Sequence, residues 1–365
     1  MISALAKEIA HPSFTLSPLR IRNVSGMTVC EPSTPEDLVA LRATDHYLRR
    51  IYKVRQSDRN RIVRQLKIVL EDSSHLALRK LDIRTFYESI DCDAVLEDLK
   101  KDMILGFKGI RILESLFQRA EESGIAGLPR GICVSATLSE RVGRDIDRHI
   151  RNTAGVYYAA RYVDDIVLVT EAAKSDSIEA SLDELLRGMG FTVNPDKRLA
   201  ADLDSGPIFS YLGYEFSVES VGKPGSSRQV SVWIAPPKLK KQKTRICRAF
   251  SQFAVDGSFG LLIARLRYLA CSQLIARTGN GLLMSGNAYN YCEVTDTSCL
   301  DTLDSLVRRI VSGQGRVGRL VAPQLTRSQI AALRRISFRN AFERRLQVQF
   351  TRSRAKRIAG AFRNA

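Results

Sequence analysis

Asp164 and Asp165 are adjacent carboxylates in Arg161-Tyr162-Val163-Asp164-Asp165-Ile166-Val167-Leu168-Val169, between two β-type runs. Like charges crowded at a hairpin tip repel one another and are costly unless a cation sits between them. Oxygen donors of this kind suit Mg²⁺, which binds through one or two carboxylates together with substrate phosphates. A lone Asp-Asp is more often a solvated turn, so the reading depends on other segments. Asp82 closes the apolar run Leu76-Ala77-Leu78-Arg79-Lys80-Leu81-Asp82-Ile83, and Tyr87 follows it five residues later. Gly127-Leu128-Pro129-Arg130-Gly131-Ile132 is a Gly/Pro loop entering a helix. If Asp82 and Asp164 converge, they suit two metal ions about 3.5–4 Å apart, one activating a hydroxyl and one neutralising a leaving pyrophosphate. Such a site needs carboxylates and cations but no side-chain nucleophile.

The elements that must position these residues follow from periodicity. Residues 1–35 contain four prolines (Pro12, Pro18, Pro32 and Pro35) and read as an irregular arm. Residues 35–71 read as basic helix, with Lys53, Arg55, Arg59, Arg61 and Arg64. Leu76–Ile83 is an expected strand, and a helix follows with Asp91 or Asp93 as N-cap. Ile132–Ile150 reads as helix, and Val156–Thr170 as a hairpin around Asp164. Asp176–Met189 is amphipathic, with Gly190 at its stop. Phe191–Val193 is an expected short strand, and Ile208–Phe216 with Val230–Ile234 an expected second hairpin. The order β-α-α-β-β-α-β predicts an α+β sheet with helices on one face. Beyond Pro236-Pro237 the chain turns helical and basic, with further helices expected at Leu261–Leu274, Leu300–Ser312 and Ser328–Val348.

The chain has 365 residues, 44% of them hydrophobic, a formal net charge of +17 and a sequence pI near 9.8. That charge calls for a polyanionic partner, nucleic acid before membrane. No run is long and apolar enough for a transmembrane helix. Met1–Pro12 carries Lys7, Glu8 and His11 across its apolar run and does not read as a signal peptide. The seven cysteines include no Cys-x-x-Cys pair, which points to free thiols and a cytoplasmic location and argues against zinc.

These pieces resemble the ordered motifs of reverse transcriptases. The Asp82 segment resembles motif A, the Gly127 loop motif B, and Tyr162-Val163-Asp164-Asp165 motif C, the Tyr-x-Asp-Asp box. Gly188–Lys197 resembles motif D, and Tyr211-Leu212-Gly213-Tyr214-Glu215-Phe216 resembles motif E, the primer grip. The resemblance implies a right-hand polymerase fold with abbreviated fingers, an RRM-like antiparallel palm and a helical basic thumb. It divides the chain into an arm and fingers (1–75), a palm (76–236), a thumb (237–325) and an Arg-rich extension (326–365). It makes Asp82 and Asp164 metal ligands, with the Ile83 carbonyl completing one shell and Asp165 a less direct partner. Two Mg²⁺ ions, replaceable by Mn²⁺, are the implied cofactors. Tyr87 takes the place of the steric gate against a ribose 2′-OH, and Lys197 that of the lysine that protonates pyrophosphate. Arg130, Gly131, Arg55 and Arg61 are candidates to bind nucleotide. Tyr211, Leu212, Gly213, Tyr214, Lys238, Lys241 and Arg245 are candidates to hold primer and template.

The departures are specific. Motif B usually reads Leu-Pro-Gln-Gly then Ser-Pro, whereas here Arg130 replaces the Gln and Ala136 the Pro. Arg130 has a fork of donors suited to a phosphate or template backbone. The expected activity is RNA-directed DNA synthesis from dNTPs, with an RNA template, a DNA primer or product, and a noncoding RNA held by the Arg-rich tail. Segments 265–270 and 281–291 are similar to bacterial defence-associated members, which implies antiphage defence and a partner defence protein or homo-oligomer. Two alternatives stand beside it: protein-primed or unconventionally templated synthesis of a repetitive product, and a catalytically silent nucleic-acid-binding scaffold.

Overall fold

The computed structural model describes residues 7–24, 26–220, 226–278 and 281–362. The chain divides into two compact units: Met1–Arg59 with Ser74–Leu203, and Asn60–Ser73 with Asp204–Ala365. This division by packing cuts across the four expected segments, because both the motif E hairpin and most of the basic helix before Leu70 pack in the second unit.

The first unit opens with strands β1 (Arg20–Val24) and β2 (Met27–Glu31), then helix α1 (Pro35–Ile51). The arm is therefore not wholly irregular. Its turn is set by Gly26 at φ +82°, whose N–H donates to Asn23 Oδ1 at 3.0 Å. Thr34 caps α1 in a reciprocal capping box with Asp37. Helix α2 (Arg59–Leu70) belongs almost wholly to the second unit.

Strand β3 (Leu76–Asp82) leads to α3 (Cys92–Lys101), which Asp91 caps through the N–H groups of Asp93 and Ala94. Helix α4 (Phe107–Glu122), not anticipated, buries Ile110, Leu113 and Phe117 at helical spacing. Helix α5 (Cys133–Asn152), strands β4 (Val156–Tyr162) and β5 (Asp165–Glu171), and helix α6 (Ser175–Gly188) follow near their expected positions. Strand β6 is Leu199–Asp202, and Phe191–Val193 contributes only a bridge between Val193 and Ile83. The expected strand was misplaced because its apolar residues fill the core instead, with Phe191 packed on Phe86 at 5.1 Å between ring centroids.

The four strands are antiparallel in the order β4-β5-β3-β6. Leu81, Ile166 and Leu168 face the core built from the helices. Arg79 shares that face and is tied to α6 through Asp176 at 2.6 Å and Glu179 at 2.7 Å. Strand alternation therefore places Asp82 and Asp165, which are register partners, on the opposite face.

The second unit carries the antiparallel sheet β7 (Ile208–Tyr211), β8 (Tyr214–Val218), β9 (Val230–Ile234), then α7 (Pro236–Asp256) and α8 (Phe259–Ala270). Helix α8 stops before Ser272, because β10 (Ser272–Thr278) pairs with β11 (Gly281–Ser285) and, in parallel, with β12 (Gln347–Val348). Helices α9 (Asn287–Asn290), α10 (Ser298–Val311), α11 (Gly315–Val321), α12 (Arg327–Arg334), α13 (Phe338–Glu343) and α14 (Arg352–Gly360) complete it. The expected helix Ser328–Val348 is broken at Ser337. That side chain caps α13 and also donates to Asp304 Oδ2 at 2.6 Å, while Asp304 Oδ1 accepts from Phe338 N–H at 2.6 Å. A buried acid on α10 thus selects a helix start where periodicity predicted continuation.

Candidate active site

The carboxylates are carried by the ends of two neighbouring strands. Tyr162 and Asp165 pair across a two-residue turn, Val163-Asp164. Val163 has φ +60° and Asp164 is not among the positive-φ residues, the pattern of a type II′ turn. Glycine is the usual occupant of that first position, and a β-branched residue there is strained by about 1–3 kcal/mol. The strain is opposed by Arg161, which is buried and donates to the Val163 carbonyl at 3.1 Å. The same guanidinium pairs with Glu140 at 3.0 Å and with both Asp147 oxygens at 2.9 and 3.0 Å. A Cβ on Gly143 of α5 would overlap it, so that glycine lets the arginine lie flush on the helix. Asp164 in turn accepts the Ile83 N–H on its carbonyl at 3.0 Å, which joins the turn to the end of β3.

Asp82 is buried, and the Lys197 ammonium donates to both of its carboxylate oxygens, at 2.8 and 3.0 Å. Asn194 reinforces it: its N–H bonds the Asp82 carbonyl at 2.7 Å and its side-chain amide lies 3.4 Å from Oδ2. That hydrogen bond to Asp82 raises the Lys197 pKa, so the lysine is held protonated. Burial, and then the Asp164 charge, push Asp165 up to about 6; burial also raises Asp164, with Asp82 adding to it. Acids that are buried or half-buried and disfavour one another's charge fit a hard divalent cation, which supplies the missing positive charge. The bridge between Ile83 and Val193 runs through Asp82 O and Arg84 N, which leaves the Ile83 carbonyl outside that ladder and open to a further role.

A second cluster joins motifs A and B. The Tyr87 carbonyl accepts Leu128 N–H at 2.8 Å, and a Cβ on Gly127 would overlap the Tyr87–Glu88 backbone. Arg130 lies over the Tyr87 ring, 5.0 Å from its centroid. Its fork is turned to Glu88, with Nε at 2.5 Å and Nη2 at 3.0 Å from the two carboxylate oxygens. Gly131, at φ +95°, lets strand β2 approach, and Cys30 N–H bonds the Arg130 carbonyl at 2.7 Å. Two donors of Arg130 are thus engaged on Glu88 rather than offered to a phosphate.

The structure brings Asp82, Ile83, Asp164, Asp165 and Lys197 together, and Tyr87 with Arg130 and Gly131. Arg55 is exposed in the loop after α1, and Arg61 is exposed on α2 of the second unit. Tyr211 and Tyr214 are buried, so their rings serve the core and only the Leu212-Gly213 turn reaches outward. Lys238 and Lys241 are exposed and Arg245 half-buried on α7. Sequence reasoning passed over Glu88, Glu140, Asp147 and Asn194. Only Glu88 carried a signal, as an acid beside the expected gate; the others act across folds in the chain.

No helix among the described residues is long and apolar enough to cross a membrane. No curated protein matches the sequence. Among solved structures, the chain is similar to telomerase from Candida albicans in complex with a fragment of telomeric RNA, at 12% identity and a TM-score of 0.45, over 100% of this chain and 66% of that one. Apo telomerase from Candida tropicalis gives 12% identity and a TM-score of 0.45, over 96% of this chain and 67% of that one. Its form lacking the C-terminal domain gives 14% and 0.39, over 59% of this chain and 56% of that one. The chain thus spans between 56% and 67% of the telomerase chains it matches. The model of the reverse transcriptase (RNA-dependent DNA polymerase) family matches residues 36–216, the stretch that carries the Asp82 strand, the Arg130 loop and the strained carboxylate turn, and by that match the chain belongs to the reverse transcriptase family.

Proposed function

We propose that the chain is a Mg²⁺-dependent, RNA-templated DNA polymerase whose chemistry is carried by Asp82, Asp164 and Asp165. The observation that carries this reading is the pairing of Asp82 with Asp165 across β3 and β5, beside a turn held in a strained conformation by a buried arginine. Asp82, Asp164 and the Ile83 carbonyl would hold the divalent ions, with Asp165 in support. When bound, the ions activate the primer hydroxyl and neutralise the leaving pyrophosphate. The chain's own residues do the rest. Lys197, protonated beside Asp82, keeps a proton on Nζ within reach of a leaving oxygen. The Tyr87 ring stands against the sugar 2′ position, and Arg130, held by Glu88, fixes that ring. The basic face of α7 follows the nucleic-acid backbone.

The finer reading is a polymerase that works with a dedicated noncoding RNA, a reading that the Arg-rich tail and the net charge of +17 support; its antiphage role rests on the resemblance of segments 265–270 and 281–291 to defence-associated members. A second reading, synthesis on an unconventional template, is favoured by one feature: Arg130 replaces the usual motif B glutamine and engages Glu88. Protein purified with its co-purifying RNA, given Mg²⁺ and labelled dNTPs beside an Asp164→Asn control, tests both. Products matching a co-purified RNA support the first reading. Repetitive products that survive RNase support the second. No Asp164-dependent incorporation overturns both.

A further inference from the structure

Asp82 already carries a cation supplied by the chain itself. The Lys197 ammonium donates to both of its oxygens, at 2.8 and 3.0 Å. We infer that Lys197 is a stand-in for the divalent ion: it holds Asp82 when no ion is bound, competes with the ion for that carboxylate, and is free to act as proton donor only after giving it up. The inference rests on the polymerase reading above, in taking Asp82 as a metal ligand. An ammonium shared by both oxygens of a carboxylate takes up the face between them. The Lys197 side chain is 56% exposed and that of Asp82 only 5%, so the lysine covers the acid from the solvent side. A further approach is taken by the Asn194 amide, 3.4 Å from Oδ2. A hard divalent ion takes carboxylate oxygen as a direct ligand, and two cations in contact with the same oxygens repel one another. The lysine and the ion therefore exclude each other at Asp82.

The loop that carries Lys197 is fixed, while its side chain is not. Asn194 N–H bonds the Asp82 carbonyl at 2.7 Å and Arg84 N–H bonds the Thr192 carbonyl at 2.8 Å, which ties the loop to the end of β3. Asn194 Oδ1 then caps the short turn Pro195–Lys197 by accepting Asp196 N–H at 3.2 Å. Lys197 ends that turn, and its own N–H bonds the Asn194 carbonyl at 3.3 Å. Release of the ammonium thus needs rotation of a flexible four-carbon stem and no change of backbone. Lysine suits such an exchange better than arginine, whose planar fork would grip both oxygens. The pairing also serves the site before loading. Asp165 is the register partner of Asp82, and Asp164 is joined to Ile83, so three acids gather at the ends of two strands. Lys197 offsets part of that charge until a divalent ion does so.

Mn²⁺ binding to the full chain, read from the electron paramagnetic resonance of the free ion with no nucleotide or nucleic acid present, tests the competition apart from catalysis. Lys197→Met is expected to bind Mn²⁺ about tenfold more tightly than wild type, the worth of one charge-assisted hydrogen bond. The advantage should persist in about 1 M salt, where charges more than about 3 Å apart are largely screened. In wild-type protein carrying isotope-labelled lysine, the Nζ resonance that Lys197→Met lacks is expected to shift when Mg²⁺ is added, a readout that needs no variant to bind metal. Equal Mn²⁺ affinity in the two proteins, an advantage that vanishes in high salt, or an Nζ resonance unmoved by Mg²⁺ would each overturn the inference. If Asp164-dependent incorporation persists beside any of these, the polymerase reading stands without it. Displacement of the lysine in a chain that incorporates no nucleotide overturns the polymerase reading alone.

Discussion

Tyr162-Val163-Asp164-Asp165 and Tyr211-Leu212-Gly213-Tyr214 are two-residue hairpin turns that start at a tyrosine, one in each unit. They are held by opposite means. In the second, Leu212 and Gly213 both have positive φ, 47° and 80°, the type I′ pattern, and glycine takes one of the two positions without strain. Its flanking tyrosines are buried, and Tyr214 packs edge-on to Tyr291 at 5.4 Å and donates its hydroxyl to the Asn290 carbonyl at 3.1 Å. In the first, a valine occupies the position that glycine would relax, two acids follow it, and an ion-paired arginine holds the backbone. Packing suffices where a turn only has to exist. Where a turn must aim charges at one place, strain and repulsion are balanced by a buried ionic clamp.

The largest break in this comparison is chemical. Asp164→Asn is expected to lower nucleotide incorporation by about 10²- to 10³-fold, since electrostatic stabilisation of this kind is worth that much. In metal-free buffer the same change should raise thermal stability. Asp165 is raised from its ordinary value of 3.8 to about 6, partly by Asp164, so wild-type protein loses stability as pH rises through that window. Asp164→Asn lessens that loss, so its gain in Tm should be larger at pH about 8 than at pH about 4. Added Mg²⁺ should stabilise wild type more than Asp82→Asn.

Next come the supports. Arg161→Met leaves Glu140 buried without its partner and is expected to cost about 3–5 kcal/mol in urea unfolding. Tyr214→Phe, which removes the hydroxyl that reaches the Asn290 carbonyl, should cost only about 1 kcal/mol. The turns themselves should respond with opposite sign. Val163→Gly relieves strain at the expense of a looser unfolded chain and is expected to stabilise by about 1 kcal/mol while lowering incorporation. Gly213→Ala should destabilise by about 1 kcal/mol. The smallest effect belongs to Glu88, whose pKa Arg130 holds below the usual carboxylate range. Its pairing contributes above the unfolded carboxylate pKa and is lost as pH falls through the lower folded value. Because the pair is partly exposed, Glu88→Gln should cost no more than about 1 kcal/mol at neutral pH and nothing in strong acid. It should also relax discrimination against ribonucleotides, read by competing rNTP with dNTP.

What the sequence determined by itself was local. Strand β3, the hairpin around Asp164, helices α5 and α6, and a cap at Asp91 or Asp93 were legible because alternation, helical spacing and capping chemistry act within a few residues, and the structure selects Asp91. The carboxylates were legible as types, since adjacent acids at a turn need a cation wherever they sit. The tertiary structure decided which partners they meet. The salt bridge from Lys197 to Asp82 spans 115 residues of chain, and that from Arg130 to Glu88 spans 42. Asp304 breaks a periodic helix at Ser337, and Gln347 and Val348 pair with a strand more than 70 residues earlier, which ends α8 sooner than its apolar pattern predicts. The strain at Val163 belongs to the same class. Valine predicts an ordinary strand residue, and only the register of two strands, clamped by Arg161 against α5, forces it into a turn conformation that its own side chain disfavours.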